Sequence, residues 1–489
     1  MTEFRQRFRS SPDHRPRLPG SPADKDEDSA DIGTATRALP WILGLAIFAL
    51  PAGHAPQFFS LVLVVLGITL VVGAIRQTRS TSHTTLSATD SRLRLLILSA
   101  WLALILPLVI ALPFSIDQAA HASMLVRWVV FGFALIAVLS VPVTTHGTRI
   151  VLFALLATAL CWSLYALAQY AAGIEPRQAA SFKHEQVPIW LRHHFAHGLI
   201  HAHLLAFALA GAWWWFKGRG LVLLGVLAVI AIPIVLGQHR MAWFLFGLTV
   251  ISIAAWLVSA KRFRELVVTG LVLAGLAATL LLTLHEWLGE VLPRTLGLFS
   301  GDRELVNLAL SFRLEIWSET LRIIQNQNFF GSGYKSLPLL ASIEIHGNPP
   351  NHPHQFALEA LLTAGWPGLI GMLYASLAIP FALAQAGRAA LPPKSVSGLA
   401  LNPILILIVL GSALLLLPLN AHWSPYATQY SGFFIVLLSA AIYVVRGLGL
   451  LAGEPKEDDI ESIEKQKPSL EETPKTATSA MSQEPLERP

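Results

Sequence analysis

The feature that most constrains the fold is a succession of apolar stretches, each close to the length of a membrane-spanning helix. About 20 mostly apolar residues cross the hydrocarbon core of a bilayer as an α-helix. The sequence of 489 residues is 54% hydrophobic and 13% charged, whereas soluble domains are about one quarter charged. The composition therefore predicts an all-α polytopic membrane protein. Twelve transmembrane spans are predicted, at residues 38–53, 57–75, 93–112, 122–142, 149–172, 195–215, 220–237, 241–260, 266–284, 355–386, 400–419 and 428–446.

The distribution of lysine and arginine between the spans predicts the orientation of the chain. Short loops rich in these residues stay in the cytoplasm. With the N-terminus inside, the short inner loops hold twelve Lys and Arg residues and the short outer loops hold four. We therefore expect both termini in the cytoplasm and one long loop, at 285–354 between spans nine and ten, on the outside.

The spans divide the chain into five predicted parts. Spans one to nine occupy 38–284, the long outer loop 285–354, and spans ten to twelve 355–446. The tails at 1–37 and 447–489 are rich in charged residues and proline, so we expect both to be disordered. The net charge of +5 does not indicate nucleic-acid binding, because the Lys and Arg residues lie mostly in the tails and between apolar runs. The single Cys161 excludes an intrachain disulfide.

Arginines near the outer face are candidates for binding an anion. An arginine at membrane depth needs an anionic partner or a wet cavity. Arg240, in the sequence QHRMAW, lies between two apolar runs at this face, and its guanidinium suits phosphate or pyrophosphate. A snorkelling or helix-capping arginine is the alternative. For Arg127, near the outer end of the fourth span, a structural role is favoured.

The long loop contains a predicted amphipathic helix at 302–326 that would lie on the membrane surface as a lid. Arg303 and Arg313 are on its more polar face. Together with an intramembrane arginine, Arg313 would form a diphosphate clamp that stabilises charge on a leaving group. The alternative is that Arg313 pairs with Glu315 or Glu319 at the surface.

His352 and His354 lie at the start of the tenth span. A neutral imidazole can take a proton from an attacking hydroxyl, and a helix start offers free N–H groups to an anion. Pro353 between them is expected to keep the two rings from facing the same point, so one active histidine is predicted rather than a metal-binding pair. A histidine that only caps the helix is the alternative.

More histidines crowd the outer end of the sixth span. His193, His197 and His201 recur every four residues, a spacing that can bind zinc. Carboxylates are scarce nearby, so pore-lining or polar packing is favoured and no metal site is predicted. The full set is His184, His193, His194, His197, His201 and His203.

Two stretches, FRLEIWSETLRIIQNQNFFGSGYKSL at 312–337 and HPHQFALEALLTAGWPGLIG at 352–371, resemble the signature region of the O-antigen ligase and O-antigen polymerase superfamily. QHRMAW is similar to the Ser-Arg-Gly element of that family. Position by position, His354 falls on the functional histidine of the family, Arg240 on its intramembrane arginine and Arg313 on the arginine of its loop helix. The chain departs from the family at Gln355, where Asn or Ser is usual, at His239, where Ser is usual, and at Thr363, where Glu is common.

The resemblance implies a GT-C-type glycosyltransferase of the bacterial inner membrane. It would act on an undecaprenyl-pyrophosphate-linked glycan at the periplasmic face, where the long loop would lie, without metal, cofactor or ATP. Arg240 and Arg313 would hold the pyrophosphate, His354 would orient or deprotonate the acceptor hydroxyl, and Gln355 would hydrogen-bond a sugar. The other expected substrate-binding residues are His352, His239, Arg303 and His194.

A ligase that passes O-antigen to lipid A-core is the favoured function. A polymerase that joins repeat units uses similar chemistry, and a third branch of the superfamily transfers glycan to Ser or Thr of a periplasmic protein. From a different class, a transporter or flippase should show broken helices that meet at the bilayer midplane with ionisable groups. In this sequence the cations cluster at the outer face instead.

Overall fold

The chain forms a bundle of apolar helices with a helical loop at one end. Within the residues that the computed structural model describes, the only extended pairing is one bridge between Ile345 and Asn348. The described residues are 26–50, 88–171, 194–236, 240–283, 296–310, 312–345, 347–391, 402–420, 424 and 426–452, with five helical residues between 62 and 68.

The apolar helices follow the predicted spans. The long helices of the bundle are α1 (Asp26–Phe48), α2 (Ala88–Ala111), α3 (Gln118–Ser140), α4 (Thr145–Ala171), α5 (His194–Trp215), α6 (Gly220–Leu236), α7 (Arg240–Ser259) and α8 (Phe263–Thr283), followed after the loop by α12 (Phe356–Ala390), α13 (Pro403–Leu415) and α14 (Thr428–Ala452). Among the described residues, seven helices are long and apolar enough to cross a membrane, which makes this a polytopic helical membrane protein. The predicted span at 57–75 lies mostly outside the described residues, so the total of twelve stays a prediction.

Two predicted boundaries are wrong. Helix α1 begins at Asp26, so residues 26–37 are helical rather than part of a disordered tail. At the other end, α14 continues to Ala452, beyond the predicted limit of 446. Residues 1–25 and 453–489 lie outside the described residues.

The predicted lid helix at 302–326 is two helices, which is a further correction. They are α9 (Arg303–Ala309) and α10 (Arg313–Asn326), and a short α11 (Leu337–Leu340) follows. Phe312 separates them with a left-handed φ of 60°, and its N–H donates to the Asn307 carbonyl at 2.9 Å. The side chain of Asn307 bridges the break by donating to Glu315 at 2.6 Å. The polar faces of α9 and α10 therefore do not form one continuous face, as the single predicted helix would have had.

Helices α5 and α14 lie in the interior of the bundle. Helix α5 packs on α4, α6, α7 and α13, and α14 packs on α3, α4, α12 and α13. Phe207, Tyr430 and Phe434 are completely buried. Arg446 near the end of α14 binds Asp90 of α2 at 3.0 Å and donates to the carbonyls of Val138 and Val141. Through these contacts Arg446 holds α2, α3 and α14 together at one end of the bundle.

Helix α12 is kinked where the loop docks on it. Ala364 and Gly365 have non-helical backbone angles, and Gly365 has a φ of 64°. Pro367 follows, and proline inside a helix removes a backbone donor. The kink frees backbone groups that pair with the Gly331-Ser332-Gly333 segment. The pairs are Ser332 N–H to the Leu362 carbonyl at 2.8 Å, Gly333 N–H to the Thr363 carbonyl at 3.1 Å, and Trp366 N–H to the Phe329 carbonyl at 3.1 Å.

Candidate functional site

The turn 352–355 is the centre of the candidate site, and helix α10 is attached to it. The indole N–H of Trp317 on α10 donates to the Pro353 carbonyl at 3.0 Å. Arg313 precedes Trp317 by four residues, so the two side chains lie on the same face of α10. The structure thus brings Arg313 and the two histidines to the same end of the bundle.

The rings of His352 and His354 lie together, with their centroids 3.9 Å apart and their planes tilted by 42°. Pro353 therefore does not prevent the two rings from lying side by side, while the expectation of one active histidine stays a prediction. The physical reason is the left-handed backbone of His354, with a φ of 54°, which folds the turn back on itself. In this conformation the His354 N–H donates to Nδ1 of His352 at 3.2 Å.

His352 is a neutral imidazole at physiological pH. Burial, followed by the charges of His354 and Arg313, lowers the pKa of His352 to about 3. Because Nδ1 accepts the hydrogen bond from the His354 N–H, the ring proton resides on Nε2. His352 can therefore serve as an uncharged hydrogen-bond partner within this cationic site. Arg313 is the smallest of the three causes of this lowered pKa, in agreement with its place on the face of α10 that carries Trp317.

Gln355 caps helix α12. Its side-chain oxygen accepts from the Leu358 N–H at 2.5 Å and its amide nitrogen donates to the Pro418 carbonyl at 3.2 Å. The N–H groups of Phe356 and Ala357 donate to the carbonyls of Asn420 and Pro418. The expectation of free N–H groups at this helix start is therefore wrong, because the 418–420 segment binds them. A contact between Gln355 and a sugar stays a prediction.

Glu359 is the residue that the sequence analysis did not place in the site. Its side chain is 5% exposed, and Oε2 lies 3.8 Å from Nδ1 of His352. Oε1 accepts a hydrogen bond from Ser424 at 2.9 Å, and Oε2 has no hydrogen-bond partner among the described residues. A lone carboxyl group in an apolar span indicates a functional site, and this signal was available in the sequence.

A second layer of polar groups surrounds Glu359. Burial, followed by the negative charge of Glu359, raises the pKa of Tyr334, whereas Arg127 lowers it. Arg127 donates to the Tyr426 carbonyl at 3.4 Å, and the Tyr334 N–H donates to Nδ1 of His121 at 3.1 Å. Arg127 therefore joins α3 to the segment that carries Ser424, which agrees with the structural role favoured for it.

Helix α10 is held in place by a buried glutamate. Glu319 binds Arg322 at 2.7 Å and accepts from the N–H and hydroxyl of Ser342. The hydrogen bond from Arg322 is the main cause that lowers the pKa of Glu319 to about 2. Ile316, Ile323, Leu337 and Leu362 form a small apolar cluster beneath the helix. These contacts set the position from which Arg313 projects.

The remaining predicted residues are placed only by their backbone. Arg240 begins α7, Arg303 begins α9 and His194 begins α5, and their side chains are not described. His239 lies outside the described residues. The convergence of Arg240 on His354 thus stays a prediction, as do the roles of Arg303, His194 and His239.

Two histidines of α5 have side chains that the structure describes. His201 and His203 are completely buried, and Nε2 of His203 lies 3.4 Å from the Asn420 amide. His203 is thereby linked to the segment that caps α12. His193 lies outside the described residues and the side chain of His197 is not described, so a shared role with His201 is untested.

A comparison with known protein families gave a match that covers this part of the molecule. Residues 225–373 fit the family model described as O-antigen ligase. The chain carries an O-antigen ligase domain. The predicted membership of the O-antigen ligase and polymerase superfamily is confirmed. A comparison with curated proteins found no match.

The O-antigen ligase domain begins within α6 and ends within α12. It therefore includes Arg240, Arg313, both histidines of the turn, and Glu359. The match supports an O-antigen ligase or polymerase type of function and a multi-pass membrane protein that acts on glycan substrates. Helices α1 to α5, α13 and α14 lie outside the match. From this C-terminal part, Pro418 contacts Gln355 of the turn, and Asn420 and Ser424 contact α12.

Proposed function

We propose that the protein is a glycosyltransferase that moves an undecaprenyl-pyrophosphate-linked glycan to an acceptor hydroxyl at the periplasmic face, with lipid A-core as the favoured acceptor. The observation that carries this proposal is the cluster of His352, His354 and Arg313. It combines two imidazoles 3.9 Å apart with a guanidinium whose charge acts on His352. A base and a cation are the groups that this transfer requires.

The reaction forms one bond and breaks another at the anomeric carbon. The acceptor oxygen attacks this carbon while its proton passes to the imidazole of His354. The bond from the anomeric carbon to the phosphate oxygen breaks, and undecaprenyl pyrophosphate leaves with the electron pair. Arg313, and Arg240 if it reaches the same chamber, stabilise the negative charge that develops on this oxygen.

In this proposal His352 and Glu359 position His354. Nδ1 of His352 accepts the His354 N–H, which holds the left-handed turn. Glu359, 3.8 Å from the same nitrogen and fixed by Ser424, limits where the His352 ring can lie. Because His352 is uncharged, it does not compete with Arg313 for the pyrophosphate.

Complementation tests the proposal. Wild type, His354→Ala, Arg313→Ala and Arg240→Ala would be expressed in strains that lack either the ligase or the polymerase. We expect wild type to restore long-chain lipopolysaccharide in the ligase mutant, and the three variants to leave undecaprenyl-linked polymer accumulated. His146→Ala and Arg388→Ala are matched controls, because His146 and Arg388 are exposed and lie away from the turn.

The same experiment separates the ligase from a polymerase, and a transport assay separates the enzyme from a transporter. Restoration of chain length in the polymerase mutant alone would identify a polymerase, which the superfamily match also accommodates. Full complementation by His354→Ala would overturn the enzyme proposal. Solute movement by purified protein in lipid vesicles without glycan transfer would favour the transporter or flippase.

A further inference from the structure

A cavity lies between the membrane helices, away from the histidine turn. Its volume is about 310 Å³, within the range of about 300–1,000 Å³ typical of ligand sites. Its walls come from α5, α6, α7, α8 and α13 and are mostly apolar. They include Leu209, Leu224, Leu227, Trp213, Trp256 and Leu257.

The cavity lies at the opposite end of α5 from the candidate site. His203 of α5 lies beside Asn420, which caps α12. Trp213 follows ten residues later, so it is about 15 Å further along the helix. Leu221 also lines the cavity and is 78% exposed, which shows that the mouth opens towards the lipid-facing surface.

Cations and tryptophans meet at the mouth. The Arg262 guanidinium lies over the rings of Trp213 and Trp256, at 5.1 and 5.9 Å from their centroids, and binds Glu265 at 2.7 Å. Arg264 lines the same mouth, so two positive charges face one negative charge. Tryptophan and arginine together are typical of a membrane–water interface, and basic pockets between membrane helices bind lipid headgroups.

We propose that this cavity binds an anionic phospholipid, with one acyl chain along the leucines and its phosphate beside Arg262 and Arg264. The apolar wall fits a hydrocarbon chain, and the opening at the lipid-facing surface lets the chain enter from the bilayer. The excess of positive charge selects an anionic headgroup over a zwitterionic one. This proposal does not depend on the reaction at the histidine turn.

Native mass spectrometry of the full-length protein in detergent tests this site. Dioleoyl phosphatidylglycerol and dioleoyl phosphatidylcholine would be titrated separately onto delipidated wild type, Arg262→Gln, Arg264→Gln and Leu224→Trp. We expect one phosphatidylglycerol to bind wild type at least tenfold more tightly than phosphatidylcholine. Each arginine variant should lose about fivefold of this affinity. In Leu224→Trp the larger side chain fills the cavity, so this variant should bind neither lipid at this site.

The controls separate a specific site from general lipid adhesion. Arg388→Gln removes an exposed arginine that does not line the cavity, and it should bind like wild type. Inorganic phosphate at millimolar concentration should not displace the lipid, because it lacks the chain. Equal affinity for the two lipids, or equal losses in Arg262→Gln and Arg388→Gln, would overturn the proposal even if Leu224→Trp fails to fold.

Discussion

At the scale of single residues, the left-handed backbone of His354 is the feature on which the site depends. A φ of 54° at a non-glycine residue costs about 1–2 kcal/mol of conformational free energy. Such strain persists where the surrounding structure maintains it. Here the His354 N–H bond to His352 and the Trp317 bond to the Pro353 carbonyl maintain it. Strain at this position agrees with a role for the imidazole.

Replacements of His354 should separate backbone strain from chemistry. His354→Ala and His354→Asn both remove the imidazole, but asparagine tolerates the left-handed conformation better than alanine. We expect both variants to lose about 100- to 10,000-fold in transfer rate, while His354→Asn has the higher melting temperature. Glycan transfer and thermal unfolding in detergent would be measured on the same preparations. An active His354→Asn would contradict a role for the imidazole.

Glu359→Gln tests the positioning of His352. Glutamine keeps an acceptor for Ser424 and nearly the same volume, but it removes the carboxylate 3.8 Å from His352. We expect the transfer rate to fall about tenfold or more, in line with other residues that orient a functional group, and its pH profile to shift while KM for the acceptor changes little. A purely structural Glu359 would lower the melting temperature and leave the pH profile unchanged.

The stability of the fold should depend on the titration of His352. Its pKa is about 3 in the folded protein and about 6.5 when unfolded, so the unfolded state binds more protons between these values. Stability is therefore retained above pH 6.5 and lost as the pH falls towards 3, by at most about 1.4 kcal/mol per pH unit. Melting temperatures between pH 7.5 and 4.5 should fall more steeply for wild type than for His352→Gln. His146→Gln, at an exposed position, should follow wild type.

At the scale of elements, glycine lets the loop dock on the kink of α12. A Cβ on Gly365 would lie 1.9 Å from the Phe329 carbonyl oxygen, and one on Gly331 would lie 2.6 Å from the Gly365 nitrogen. Only a residue without a side chain permits the two backbones to approach this closely. The glycine motifs in the sequence thus act by joining the segment after α10 to the helix that carries the turn.

Two glycine variants separate the clash from the backbone conformation. Gly365→Ala and Gly301→Ala both place alanine at a positive φ, of 64° and 74°, but a Cβ on Gly301 meets nothing within 4 Å. We expect Gly301→Ala to lose about 1–2 kcal/mol and Gly365→Ala clearly more, with loss of transfer activity. Denaturant unfolding of both variants in detergent would measure this difference. Equal losses of stability in Gly365→Ala and Gly301→Ala would show that the loop backbone does not pack tightly against the kink of α12.

At the scale of the whole molecule, the arrangement of the helices places the two proposed sites at opposite ends of the bundle. The histidine turn lies at the end with the polar loop, and the cavity near Arg262 lies at the other end, towards the C-terminus of α5. Under the predicted orientation, the first end is periplasmic and the second cytoplasmic. An enzyme that transfers a glycan at the periplasmic face would require this orientation.

Cysteine labelling tests the orientation. In a Cys161→Ser background, Glu344→Cys in the loop and Arg388→Cys at the end of α12 each introduce one exposed thiol. We expect a membrane-impermeant maleimide to label Glu344→Cys in intact cells and Arg388→Cys only after lysis. The Cys161→Ser chain without further changes is the control for background labelling. The opposite pattern would contradict a periplasmic site.

The sequence by itself determined the membrane helices and the family to which the site region belongs. Burial in lipid needs a local run of apolar residues, so eleven of the twelve predicted spans overlap apolar helices in the described chain, and seven of these helices are long enough to cross a membrane. The motifs around Arg313 and His354 were equally local, and they indicated the family that residues 225–373 match. These properties need no knowledge of distant contacts.

Only the tertiary structure decided how the residues of the turn meet. The His354 backbone, the break at Phe312 and the 3.8 Å approach of Glu359 to His352 depend on α10, the Gly331–Gly333 segment and Ser424 packing against α12. These contacts join positions up to 65 residues apart, and no local periodicity encodes such a distance. The sequence gives no sign that the rings of His352 and His354 are adjacent, because the surrounding contacts stabilise the strained turn that brings them together.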